Sequence, residues 1–140
     1  MRVEVLEVLR GTEDESGGGV GVVFRSAAGR AWARWCGAEV PGAGTVVHGE
    51  VDVPGEVAAW RPAEGPDLLV ADAPGAAVRL RGTVDGVGED SVVVIRLGGA
   101  ILLAEFAGGT AGERGDEALP SVGERVEFSV PEIGLYPVSV

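Results

Sequence analysis

The residues with the clearest binding chemistry are three arginines and one tryptophan on a hairpin predicted for residues 20–36. If Arg25 lies opposite Arg30, one face of this hairpin carries Arg25, Arg30, Trp32 and Arg34, because side chains alternate between the faces of a strand. Exposed Trp and Arg dominate binding hot spots, and a guanidinium can stack on an indole ring while it bonds to a carboxylate or phosphate. We predict a partner-binding site at these four residues. The alternative is that a neighbouring loop covers Trp32 while acidic residues pair with the arginines.

The cluster that most resembles a metal or acid–base site is His48, Glu50 and Asp52. These residues alternate along one predicted strand, so a metal would need a further ligand from another strand. Alternating polar residues are also typical of a solvated strand face, and we predict that role for them. The single cysteine, Cys36, has no C-x-x-C motif and no activating base beside it. We predict a buried or half-buried thiol there rather than a nucleophile.

Several kinds of catalysis are excluded by what the chain lacks. Without lysine there is no Schiff base and no Walker A loop, and no G-x-S-x-G motif frames a serine nucleophile. A hydrolytic triad would have to use His48, which is the only histidine. We therefore predict a protein that is not an enzyme and that holds no cofactor and no metal.

The charge of the chain narrows the choice of partner. The formal net charge is −11, from 22 acidic residues and 11 arginines. Such a charge repels duplex nucleic acid and anionic membranes, so we expect a protein partner instead. The absence of lysine and asparagine, whose codons are AT-rich, indicates a gene from a high-GC bacterium.

The composition predicts an all-β fold. The 140 residues include 24 glycines and 8 prolines, valine is abundant, and no segment shows apolar residues at helical spacing over three or four turns. No stretch approaches the roughly 18 apolar residues of a membrane span, and the N-terminus lacks the apolar region of a signal peptide. We expect a cytoplasmic protein.

The most apolar stretch, residues 92–106, predicts a hairpin that turns at Gly98-Gly99. The turn sets the expected pairs as Leu97 with Ala100, Ile95 with Leu102 and Val93 with Ala104. The opposite face is also apolar, with Val92, Val94, Ile101 and Leu103. A hairpin with one solvated face should alternate apolar and polar residues, so we expect both faces to be covered, the outer one by a second unit or in a homodimer.

The two halves of the chain share one plan. Each has a strand, a hairpin, a polar loop, a strand that ends in Val-Pro, and a short last strand, with Val53-Pro54 and Val130-Pro131 as the matching ends. A bulge is expected near Leu6, where the alternation of the first strand changes parity. We predict a tandem duplication with domains at residues 1–74 and 75–140, each a five-stranded OB- or SH3-like barrel, the two packed together. One larger barrel or sandwich is the alternative.

Three functions follow from these features. We favour an interaction module of accessory, regulatory or immunity type, which binds another protein through its acidic surface or through the Arg–Trp face. The second hypothesis is an OB-type binder of single-stranded nucleic acid that uses Trp32 for stacking, against which the net charge argues. The third is a barrel that binds a small ligand in its mouth or between the halves.

Overall fold

The computed structural model describes residues 1–10, 19–107 and 119–138, and every regular element within them is a β-strand. The strands are β1 (Arg2–Arg10), β2 (Val20–Ser26), β3 (Gly29–Trp35), β4 (Val46–Asp52), β5 (Glu56–Val57), β6 (Arg61–Pro62), β7 (Leu68–Val70), β8 (Val78–Val87), β9 (Val92–Leu97), β10 (Ala100–Phe106), β11 (Arg125–Val130) and β12 (Gly134–Pro137). The described residues form no helix that could cross a membrane. Residues 11–18, 108–118 and 139–140 lie outside the described residues. The all-β prediction is confirmed.

Five strands close a barrel in the order β1-β2-β3-β12-β4, which we call the first barrel. β1 to β3 form an antiparallel meander, and β12 lies parallel to β3 and antiparallel to β4. The register of β1 shifts between Val5 and Glu7, which confirms the predicted bulge. Arg25 lies opposite Arg30, so the faces of the β2–β3 hairpin separate as the sequence predicts.

The remaining strands form a seven-stranded sheet in the order β5-β10-β9-β8-β11-β6, with β7 paired to β8. β8 to β10 repeat the antiparallel meander of the first barrel. β5 and β6 stand at opposite ends of this order, yet only residues 58–60 separate them in the chain. Because a few residues span roughly 10–14 Å at most, the two ends of the sheet are brought together. The sheet therefore curls into a second barrel-like unit.

The two units exchange their last strands. β5 and β6 follow β4 in the chain but pair with β10 and β11, whereas β12 follows β11 but pairs with β3 and β4. The segments cross over directly after Val53-Pro54 and Val130-Pro131. The sheets therefore do not follow the predicted boundary between residues 1–74 and 75–140, because each stretch holds strands that complete the other unit.

One hydrophobic core extends through both units. Leu69 of β7 is fully buried, and the N–H groups of Leu69 and Ala71 donate to the carbonyls of Ala28 and Arg30 in the β2–β3 hairpin. β7 thereby links the second sheet to the first barrel. The units are held together by shared apolar packing as well as by the exchanged strands.

The β9–β10 hairpin has the predicted register, in which Leu97 pairs with Ala100, Ile95 with Leu102 and Val93 with Ala104. Its turn residues have φ of 59° and 84°, a conformation that glycine adopts without strain. The prediction that both faces are covered is wrong for β10. Ile101 and Leu103 keep 49% and 56% of their surface exposed, because β4 and β12 approach this face without closing over it.

Candidate partner-binding groove

The predicted arginine face is divided among separate partners. Arg25 donates to Glu4 at 2.7 Å, and Arg34 donates to Glu132 at 2.8 Å. Arg30 is exposed and forms no ion pair within the part of the chain that the structure describes. Exposed pairs of this kind contribute about 0–1 kcal/mol, so they occupy the guanidinium groups without fixing them rigidly.

Trp32 is half-buried beneath the segment that joins the two units. Its indole N–H donates to the carbonyl of Ala76 at 2.8 Å, and residues 71–74 border a depression of about 270 Å³ beside the ring. This is the arrangement that the alternative interpretation of the sequence describes. A partner-binding site at Arg25, Arg30, Trp32 and Arg34 stays a prediction. Another surface has a geometry that is better suited to binding a partner.

That surface is a groove between the two units, bordered by β4 and β12 on one side and by β10 on the other. Two adjoining depressions of about 300 and 340 Å³ share Glu50 and Ile101 in their walls. We define the inter-unit groove by seven of the side chains that line it, which are His48, Glu50, Asp52, Ile101, Leu103, Tyr136 and Val138.

Strand alternation determines which side chains reach the groove. On β4, Gly49 and Val51 point into the first barrel, so the residues between and beside them point outward. Gly49 is required by close packing, since a Cβ there would lie 2.8 Å from the Cδ1 atom of Leu135. On β12, buried Leu135 likewise directs Tyr136 outward. The groove is thus a consequence of how the barrel core is packed.

The groove collects large apolar side chains that remain in solvent. Ile101, Leu103, Tyr136 and Val138 are 49%, 56%, 44% and 40% exposed. Single exposed apolar residues are ordinary on a protein surface. Four of them along two adjoining depressions, on β10, on β12 and directly after β12, are typical of an interaction site.

The acidic side chains of the groove are unpaired among the described residues, and the one ammonium group beside them, at Met1, donates to the Gly49 carbonyl at 3.0 Å. Glu50 and Asp52 are exposed, and neither forms an ion pair with any described residue. Other acidic residues do pair with arginine, namely Glu4, Asp67, Asp85, Glu127 and Glu132. Among the residues that the structure describes, no arginine lines either depression of the groove. The groove therefore presents negative charge beside apolar surface.

Tyr136 stands where the acidic and apolar parts of the groove meet. Gly134 leaves room for the Cys36 sulfur, the Asp52 side chain and the Tyr136 ring to converge, since a Cβ at Gly134 would lie 3.1–3.8 Å from all three. The neighbouring Cys36 sulfur, and after it the carboxylate of Asp52, raise the pKa of Tyr136 above its ordinary value. Like any phenol with a pKa of about 10 or above, Tyr136 is protonated at neutral pH, and its exposed hydroxyl can donate a hydrogen bond to a bound molecule.

Within the described ranges, no group of three His, Cys, Asp or Glu side chains is placed to hold a metal ion. Comparisons with protein-family models, with curated proteins and with solved structures find no match. What the groove does is therefore argued from its own chemistry.

The sequence predicted where two sets of groove residues point, but not that the two sets lie together. His48, Glu50 and Asp52 were expected on a solvated face, and they are exposed. Ile101 and Leu103 were expected on an apolar outer face, which is also where they lie. The two sets meet only because strands of different units lie side by side, and no local pattern in the sequence carries that information.

Proposed function

We propose that this protein is a non-catalytic acidic interaction module that binds a basic, apolar segment of a protein partner in the inter-unit groove. The observation that supports it most is the juxtaposition of exposed Ile101 and Leu103 with unpaired Glu50 and Asp52. A partner that places Arg or Lys beside an apolar or aromatic side chain satisfies both parts at once.

The expected binding free energies assign different roles to the apolar side chains and to the carboxylates of the groove. Burying the exposed halves of Ile101 and Leu103 contributes about 1 kcal/mol each. An ion pair formed at the open edge of the groove contributes about 0.2–1 kcal/mol. Affinity therefore comes mainly from the apolar side chains, while the carboxylates select a basic partner and speed its approach.

Tyr136 is the expected centre of the site. Tyrosine is enriched among binding hot spots because it combines a rigid apolar ring with a hydrogen-bonding hydroxyl. Tyr136 is 44% exposed and lies beside the carboxylate of Asp52, so an incoming guanidinium can stack on the ring while it pairs with the acid.

Three finer expectations belong to this proposal. The first barrel is of the OB type, which a small closed five-stranded barrel supports. The protein acts in the cytoplasm. Self-association through the hairpin of residues 92–106 is the weaker form of the interaction hypothesis, since two copies that each carry −11 repel one another.

The experiment is a selection of binders from a random displayed-peptide library, followed by affinity measurements on the enriched peptides. We expect enrichment of Arg or Lys next to Trp, Leu or Phe, and binding that weakens as salt is raised. Leu103→Ser should reduce affinity about fivefold, and Asp52→Arg, which replaces an ion pair by a repulsion of similar size, should reduce it by a similar factor. Enriched peptides that are acidic, or that bind both variants as well as wild type, would refute the proposal.

Two matched variants control for general effects. Val122→Ser removes an apolar side chain that is 66% exposed in a turn away from the groove, and Glu89→Arg makes the same change of charge as Asp52→Arg. Both should bind the selected peptides like wild type. Light scattering of wild type at rising concentration tests the homodimer, which requires a doubling of mass that Leu103→Ser abolishes.

A further inference from the structure

A second concavity, on the outer face of the second unit, combines apolar walls with arginine. It has a volume of about 400 Å³ and we call it the arginine pocket, defined by Ala58, Ala59, Trp60, Arg61, Arg79, Glu127, Phe128 and Ser129. Trp60 and Phe128 are almost fully buried beneath it. The pocket shares no residue with the inter-unit groove, so its chemistry is independent of the function proposed above.

Strand register brings the charges of this pocket together. Arg61 of β6 and Arg81 of β8 both lie opposite Glu127 of β11, and Arg79 lies opposite Ser129 one step further along. The three strands are consecutive in the sheet although they are distant in sequence. This arginine cluster was not apparent from the sequence, because it depends on pairing between non-local strands.

Among the described residues, Glu127 is the only counter-charge within the cluster. Its side chain is 5% exposed, and its two oxygens accept from Arg61 at 2.8 Å and from Arg81 at 2.9 Å. Burial raises the pKa of the Glu127 carboxyl, but the hydrogen bonds and charges of the two arginines outweigh that effect and hold this pKa below its ordinary value. Glu127 is therefore ionised at neutral pH and already bound to two guanidinium groups.

Arg79 is left with unused donors. Its Nε lies 3.7 Å from the nearer oxygen of Glu127, too far for a hydrogen bond, and its side chain is 54% exposed. Among the described residues it has no closer acidic partner. Three guanidinium groups against one carboxylate leave the cluster with a charge of about +2, on a protein whose net charge is −11.

We propose that the arginine pocket binds a small organic anion, a phosphate or carboxylate attached to an aromatic or branched apolar group. The anion would lie against Arg79 and Arg61, whose planar guanidinium groups match two oxygens at once. The hydroxyl of Ser129 supplies a further donor, and the apolar part of the ligand lies on the surface formed by Ala58, Ala59 and Trp60. Because salt screens charges beyond about 10 Å at 0.1 M, the local arginines act on the ligand more strongly than the distant acidic residues do.

The test is isothermal titration of the full chain with phenyl phosphate, benzoate and inorganic phosphate as probes. We expect saturable binding of phenyl phosphate, of benzoate, or of both, at least tenfold tighter than that of inorganic phosphate. Which of the two binds more tightly identifies the anionic group. Binding of neither at low salt, or equal affinity for inorganic phosphate, overturns the proposal.

Two substitutions locate the binding. Arg79→Gln removes a guanidinium group that makes no hydrogen bond to a described residue, so the fold should be retained and affinity should fall at least tenfold. Arg96→Gln is the control on the same sheet, since Arg96 pairs with Asp85 and does not line the pocket. Arg79→Lys keeps the charge without the planar fork, and an intermediate affinity is expected. Unchanged binding in Arg79→Gln would overturn the assignment whatever the inter-unit groove binds.

Discussion

Leu135 is the residue through which the exchanged strand β12 should hold the first barrel closed. Its side chain is fully buried, and its backbone lies between Trp35 of β3 and Val51 of β4. Leu135→Ala removes three carbons, which costs about 2.4 kcal/mol at about 0.8 kcal/mol each. The cavity left in the core of the first barrel raises the expected loss to about 3–4 kcal/mol. A domain is stable by about 5–15 kcal/mol, so a large fraction of the free energy of unfolding is lost.

The assay is urea denaturation followed by tryptophan fluorescence, in which the neighbouring Trp35 reports on the barrel. Leu103→Ala is the matched control, because the same atoms are removed from a side chain that is 56% exposed. That control should lose less than about 1 kcal/mol. Equal small losses in the two variants would refute the packing of β12 inside the first barrel.

Separate fragments 1–74 and 75–140 should each lack a stable fold, because each holds strands that the other needs. When they are mixed, they should regain the circular dichroism of the whole chain. Cooperative unfolding of either fragment alone would argue against the exchange. Glu127→Gln should cost about 2 kcal/mol at pH 7. Because the arginines lower the folded-state pKa of Glu127, the extra free energy of unfolding of wild type should be lost as the pH falls from about 4.5 through that lower pKa. Urea titrations in which wild type and Glu127→Gln keep a constant difference in free energy of unfolding down to pH 3 would contradict this. Gly82→Ala should lower Tm by several degrees, since the added Cβ would lie 2.7 Å from the Arg96 carbonyl oxygen. Gly86→Ala is the control, because the nearest contact of a Cβ there is 3.7 Å. Equal Tm values for the two variants would count against the close packing at Gly82.

Local pairing was predictable because it depends on neighbouring residues in the chain. The turn at Gly98-Gly99 sets the register of the β9–β10 hairpin, and the change of parity near Leu6 reveals the bulge in β1. The inward positions of β11 also follow from alternation, since Val126 and Phe128 are buried. These features were all correct at the level of single residues.

The exchange of strands was not predictable from local pattern. β5 and β6 have two residues each and β12 has four, so their alternation is too short to specify a partner. The matching pairs Val53-Pro54 and Val130-Pro131 show where the corresponding segments begin. They do not indicate which unit each segment joins. Only packing in three dimensions decides that.

The same reason explains what the sequence missed about binding. Strand alternation directs Glu127 away from the core that holds Val126 and Phe128, but Glu127 is buried because arginines of two other strands cover it. Tyr136 and Glu50 are far apart in the chain, yet they are paired across β12 and β4. Candidate sites in this protein arise from the register between distant strands.

The inter-unit groove is tested most directly by amide chemical-shift mapping of ¹⁵N-labelled protein titrated with a basic, apolar peptide from the library selection. The largest shifts should fall on Glu50, Asp52, Ile101, Leu103 and Tyr136, with saturation at one peptide per chain. Shifts that cluster instead on β2 and β3, around the arginine face, would contradict the groove and restore the site that the sequence alone predicts.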